Sequence, residues 1–189
     1  MIKIYLAGPD VFYPNASAIG QAKKDICKKY GFEGVFPLDL LPDNLFSGQF
    51  SFKEQANIIK SACIKGIREC DILVANMTPF RGISMDGGTA NEMGAAHIIG
   101  KKVYGYSLDS RSYLKKVQSY DDCYSSNGAY YDSFNQLIED FDAIDNCMMT
   151  EECEFIVIEH CLEQDNVENN LRAFENTISK IKDSMNWLN

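Results

Sequence analysis

The stretch "DILVANMTPFRGISMDGGTANEMGAAHIIGKKVYGY", Asp71 to Tyr106, holds a complete strand–helix–strand unit. Asp71 to Met77 is almost wholly apolar, as a strand covered on both faces must be. Thr89 to Ile99 reads as a helix and stops at Gly100. Gly94, Ala95 and Ala96 would let that helix approach the sheet closely. Lys102 to Tyr106 returns to strand. Two strands joined through a helix pair in parallel, by a right-handed crossover.

The same alternation runs outward in both directions. Ile2 to Ala7 reads as a buried strand stopped by Gly8-Pro9. Ala16 to Tyr30 has helical spacing at Ile19, Ala22 and Ile26 and ends at Gly31. Phe32 to Leu38 is a second strand, closed by Pro37. Phe52 to Cys70 is a helix with Ala56, Ile59, Cys63 and Ile67 on one face. Tyr131 to Ile144 reads as a helix, and Asp140 to Glu152 as an acidic surface loop. Cys153 to Ile158 is a fifth strand. Val167 to Leu188 is an amphipathic helix whose Leu171, Phe174, Ile178 and Ile181 cover the sheet. The expected fold is α/β: a doubly wound, five-stranded parallel sheet of flavodoxin-like order 2-1-3-4-5, with helices on both faces, as one domain over residues 1–189.

Composition narrows the function classes. Of 189 residues 46% are hydrophobic, enough for a sizeable core. A net charge of −9 argues against a nucleic-acid backbone as partner, because neutralising phosphates needs Lys and Arg in excess. Seven Cys, an odd count with no CxxC pair, and only two His do not make a zinc site of standard spacing. Reduced, mostly buried thiols in a cytoplasmic protein is the plain reading, with no cofactor indicated. No signal peptide opens the chain, and no apolar run reaches the ~18 residues of a membrane span.

Ligands in such sheets sit beyond the strand C-termini, at the switch point between the first and third strands. That gathers Tyr5 to Phe12, Pro37 to Asp39 and Asn76 to Glu92 around one crevice. Within it, "DGGTANE" supports two readings. In one, Thr89 and Glu92 form a T-x-x-E capping box and Gly87 and Gly88 permit the turn. In the other, Glu92 sits in the first helical turn, where the dipole favours its ionised form. It is then a nucleophile for an electrophilic sugar carbon, with small neighbours such as Gly88 leaving room for a ligand. Asp86, at the crevice mouth, would accept hydrogen bonds from hydroxyl groups.

Three blocks carry a resemblance: "DGGTANEMGAA" preceded by "DILVANMTPFRG", the opening "IYLAGPDVF", and "FPLD" at Phe36 to Asp39. Together they resemble the nucleoside 2-deoxyribosyltransferase family over roughly residues 1–106. The resemblance implies transfer of 2-deoxyribose from a 2′-deoxynucleoside to a free nucleobase. Glu92 falls on the family's nucleophile, which attacks C1′, forms a glycosyl ester and retains configuration. Asp86 matches a sugar-hydroxyl ligand, Tyr5 a tyrosine that orients the nucleophile, and Phe12 an aromatic that packs on the base. Gly8 would let the sugar approach, Asp39 would lie near the base, and Arg81 would hold the loop or reach the ligand. Asp10 is open between ligand and solvent. "SFNQLIE" resembles a segment lent by a neighbouring subunit. Asn135 would then reach the sugar 5′-hydroxyl, and the protein would be at least a dimer.

Structural alternatives stand beside each role. Tyr5 and Phe12 could be core packing, Asp39 a turn cap, and Asn135 a surface residue on a helix. His97 and His160 read as structural. Cys63 departs from the family, some of whose members carry Asp or Asn there, so leaving-base protonation needs another donor. Two other functions remain in view: an N-glycosidase with water as acceptor, and a non-catalytic nucleoside-binding module.

Overall fold

The structure is a computed structural model that describes residues 1–160 and 166–186. In chain order its elements are β1 (Lys3–Ala7), α1 (Ala16–Lys29), β2 (Glu33–Val35), α2 (Phe52–Glu69), β3 (Ile72–Asn76), α3 (Gly87–Ile98) and β4 (Lys102–Ser107). There follow α4 (Tyr113–Gln118), β5 (Tyr124–Ser126), β6 (Ala129–Tyr131), β7 (Leu137–Ile138), α5 (Cys147–Thr150), β8 (Cys153–Ile158) and α6 (Val167–Asn186). The expected end of the last helix, Leu188, and Cys161 lie outside the described residues.

Five strands form one parallel sheet in the order β2-β1-β3-β4-β8, the flavodoxin-like arrangement expected of the alternating pattern. Every residue of β3 is buried, which is why its sequence is a continuous apolar run rather than an alternation. Ile4, Leu6, Ile72 and Val74 point to one face, where Cys27 of α1 and Ala173, Phe174, Ile178 and Ile181 of α6 cover them. Tyr5, Ala7, Leu73 and Ala75 point to the other, under Ile67 of α2 and Met93 and Ala96 of α3. The two-residue period of the strands thus sorts one chain into two cores. Each fully buried Ile or Phe adds roughly 1.5–3 kcal/mol by removal from water.

Between β4 and β8 the structure departs from expectation. Tyr131 to Ile144 is not helical: β5, β6 and β7 make a separate three-stranded antiparallel sheet. The cause is turn chemistry. Asn127 and Gly128 both take positive φ, 53° and 80°, between the paired Ser126 and Ala129, the geometry of an Asn-Gly hairpin. Asp132 then accepts from the backbone N–H groups of Phe134 and Gln136, and turns the chain again.

The acidic stretch 140–152 is not a plain surface loop either. Ile144 and Asp145 are buried, and Asp145 accepts from the N–H of Met85 at 2.8 Å. Asn146 caps the short α5 through Met148. Leu114, Val117 and Ile138 form a small third cluster against Ile83. The inserted sheet is therefore anchored to the loop that precedes α3.

The six described cysteines are free; Cys27 and Cys70 are buried and the other four half-buried. Among the described residues no helix is long and apolar enough to cross a membrane, and no His, Cys, Asp and Glu cluster is arranged to hold a metal ion.

Candidate active site

Tyr5 occupies the centre of β1 with its ring turned toward α2 and α3, fully buried. Its hydroxyl donates to Oε1 of Glu92 at 2.6 Å. Glu92 comes from α3, and the cap of that helix explains why its carboxylate is turned inward. The N-cap is Asp86, whose Oδ2 accepts from Thr89 N–H at 2.8 Å and from Thr89 Oγ1 at 3.0 Å. Thr89 is therefore the capped residue and not the cap. With Gly87 first in the helix, Glu92 is sixth and lies in the second turn. Both expectations that placed Glu92 in the first turn are corrected: it takes no part in a capping box, and it lies beyond the reach of the dipole, which acts over one turn. Among the described residues a capping box is formed by Ser51 and Glu54, opening α2.

The carboxyl of Glu92 is correspondingly not held low. Burial pushes it up to about 7, and the nearby charge of Asp86 adds to this; the hydrogen bond from Tyr5 and the nearby Cys63 thiol pull the other way. The Tyr5 phenol is driven far above its ordinary value, first by burial and then by the charge of Glu92. A phenol that stays protonated remains a donor at any working pH.

Cys63 packs against the core as its spacing on α2 predicts, and it also borders the site. Spacing put it on the apolar face of α2, and the face was read as core. In the structure it is half-buried against the cluster that contains Tyr5, close enough to Tyr5 and Glu92 to influence their titration. Gly66, one turn further along, lets α2 come this close: a Cβ there would meet Leu40 Cδ1 at 2.4 Å and Tyr5 Cε2 at 3.0 Å. The departure at position 63 was the signal that tied this residue to the site.

A second group lies on the loops. Phe12, in a 3₁₀ turn at Pro9–Phe12 after β1, is 54% exposed and stacks on Phe80 with centroids 5.4 Å apart and planes within 12°. The Arg81 guanidinium sits over both rings, 5.2 Å from Phe12 and 4.6 Å from Phe80. Arg81 takes a positive φ of 56°, and Phe80 N–H bonds to the Ser84 carbonyl to close the loop. An aromatic pair under a cation, with Phe12 exposed and Phe80 half-buried, can serve as a ledge for a flat π-system.

The other expected residues are engaged elsewhere. The space at Gly8 belongs to the protein: a Cβ would fall 2.6 Å from Asp10 Oδ2 and 2.8 Å from Asn76 Cβ. It makes room for those side chains. Asp10 is buried and ion-paired with Lys23, neither facing solvent nor open to a ligand. Asp39 is ion-paired to Lys24 at 2.6 Å. Gly88 is exposed on the first turn of α3, with Asp86 Oδ2 3.0 Å from where its Cβ would be. Asn135 is in the exposed turn between β6 and β7, not on a helix, and accepts from the Tyr124 hydroxyl. His160 lies 3.0 Å from the Ser110 hydroxyl through Nδ1.

A sequence model of the nucleoside 2-deoxyribosyltransferase family matches residues 4–148. An uncharacterized protein of Schizosaccharomyces pombe is 38% identical over 124 residues, 62% of this chain and 55% of that protein. The chain therefore spans little more than half the length of that relative. Among solved structures, a 2-desoxiribosyltransferase from Leishmania mexicana superposes with a TM-score of 0.61 at 27% identity, over 93% of this chain and 98% of that one. A 2-deoxyribosyltransferase from Bacillus psychrosaccharolyticus is 25% identical with a TM-score of 0.46, over 66% and 86%. The sequence blocks, the strand order and a match over well more than half of its length agree: the chain belongs to the nucleoside 2-deoxyribosyltransferase family.

Proposed function

We propose that this chain is an enzyme that transfers 2-deoxyribose between nucleobases, purine or pyrimidine, through a covalent glycosyl ester on Glu92. The observation that carries the reading is the 2.6 Å hydrogen bond from Tyr5 to a Glu92 carboxylate that is released from any capping duty. Tyr5 holds one oxygen and leaves the other to attack. In the first step Oε2 of ionised Glu92 bonds to C1′ while the C1′–N bond breaks. The base leaves with that electron pair and takes up a proton. In the second step an incoming base attacks C1′ from the opposite face, loses a proton and expels the carboxylate. Two inversions retain configuration, the logic of a retaining glycosidase with a base in place of water.

Asp86 spends Oδ2 on the helix cap, and its other oxygen is the one offered to a sugar hydroxyl. The Phe12–Phe80 ledge with Arg81 is the surface for the base. Gly88 keeps the first turn of α3 open to the sugar, and Asn135, in an exposed turn, is presented to the site of a second copy in a homo-oligomer. The partners are small, a 2′-deoxynucleoside and a free nucleobase, taken from the cytoplasm without a cofactor.

The test is incubation with 2′-deoxyinosine, with and without adenine, followed by chromatography. Deoxyadenosine formed only with adenine is the expected result. Hypoxanthine released at one rate in both mixtures would make the enzyme an N-glycosidase instead. Binding without turnover would leave a nucleoside-binding module. Full activity in Glu92→Ala would remove the mechanism whatever the products.

A further inference from the structure

On the opposite face of the sheet four polar side chains close a ring. Lys23 of α1 donates to Asp10 Oδ2 at 2.6 Å and to the Tyr106 hydroxyl at 2.7 Å. Tyr106 of β4 donates to Asn170 Oδ1 at 2.8 Å, and Asn170 of α6 donates to Asp10 Oδ1 at 2.7 Å. Asn76, at the end of β3, adds a longer bond to the same Asp10 oxygen at 3.4 Å. Asp10, Lys23, Tyr106, Asn76 and Asn170 are all buried. The Lys23 ammonium also lies 5.2 Å from the Phe174 ring centroid.

Such a ring is expensive to bury and is kept only if each member is satisfied. It is not needed merely to attach α6, because Phe174, Ile178 and Ile181 already seat that helix on the sheet. What the ring adds is a fixed position for Asp10. Asp10 is the second residue of the 3₁₀ turn Pro9–Phe12, and Phe12 is its last. The Gly8 backbone is pressed against Asp10 and Asn76, so the turn has no slack on its N-terminal side. A shift of Asp10 therefore moves Phe12 off Phe80.

We propose that Asn170 is a positioning residue: through Asp10 it holds the Pro9–Phe12 turn, and with it the Phe12 ring on which the nucleobase stacks. The inference rests on the reading of Phe12 given above. It gives α6, which lies beyond the matched span of residues 4–148, a part in substrate recognition.

The test compares Asn170→Ala with Ile181→Val, an apolar trim on the same helix. Asn170→Ala is expected to raise KM for the acceptor base about fivefold or more while kcat stays within about twofold. Amide hydrogen exchange over residues 9–13 is expected to quicken in Asn170→Ala and not in Ile181→Val. If Asn170→Ala does not fold, Tyr106→Phe removes the single hydroxyl between Lys23 and Asn170 and keeps the ring in the core; the same two changes are expected, smaller. Exchange and base KM that follow only the loss of Tm, equally in both helix variants, would overturn the proposal. So would quickened exchange with an unchanged KM for the base. Should the wild-type chain turn over no nucleoside, the exchange comparison still decides whether Asn170 holds the turn, and the two ideas fail separately.

Discussion

Two buried or half-buried carboxylates flank β1 and meet opposite surroundings. Asp10, on the α1/α6 side, has an ammonium at 2.6 Å and two amide donors. Glu92, on the α2/α3 side, has a phenol and a thiol, both neutral, and another carboxylate nearby. The first is compensated and serves as structure. The second is uncompensated, and its carboxyl is pushed up to about 7. On the function proposed above, reactivity is kept where the charge has no counterion, and rigidity where it has one.

The largest expected effect is on the uncompensated side. Glu92→Ala should lower deoxyribosyl transfer by roughly 10³-fold or more, read from product formation. Glu92→Gln should show the cost of that carboxylate. The folded pKa lies above the ordinary 4.5, so the folded state holds the proton more tightly and loses stability as pH rises from about 4.5 to about 7. Urea denaturation of Glu92→Gln at pH 8 should therefore show a gain of up to about 3 kcal/mol, absent at pH 4. No gain at pH 8 would mean that the charge is better solvated than its surroundings imply.

On the compensated side the sign reverses. Lys23→Met leaves Asp10 buried without its cation and should cost about 3–5 kcal/mol in denaturant unfolding. A near-neutral result would erase the contrast between the two faces. Next in size, Tyr5→Phe removes the donor to Glu92 Oε1 and should reduce kcat by roughly 10–100-fold with a smaller change in KM. The smallest effect sharpens the comparison. Activity should rise with pH through about 7 as Glu92 ionises. The Cys63 thiol lowers the carboxyl, so Cys63→Ala should move that acid limb to higher pH by a fraction of a unit, and Cys63→Ser should bring it back. An acid limb unmoved in both variants would place the thiol outside the site.

The strand order was legible because each strand is a short apolar run with its own stop, such as Gly8-Pro9 after β1. The helix start at α3 was misread because both Asp86 and Thr89 are good caps, and only the backbone path selects the first. The inserted sheet was missed although its Asn127-Gly128 turn was in view, since flanking strands of three residues carry too little pattern. Spacing on α2 rightly assigned Cys63 to the core, but spacing alone did not show that it borders Glu92 as well.

The sequence by itself determined the parallel sheet, the two-sided cover of helices and the family, because apolar period and turn residues act over a few neighbours along the chain. Tertiary structure alone decided the burial of Glu92, the nearness of Cys63 to it and the tie between Asp10 and Asn170, 160 residues apart. Desolvation and hydrogen-bond partners are set by what folds against a group, and that neighbourhood is not written in the spacing around it.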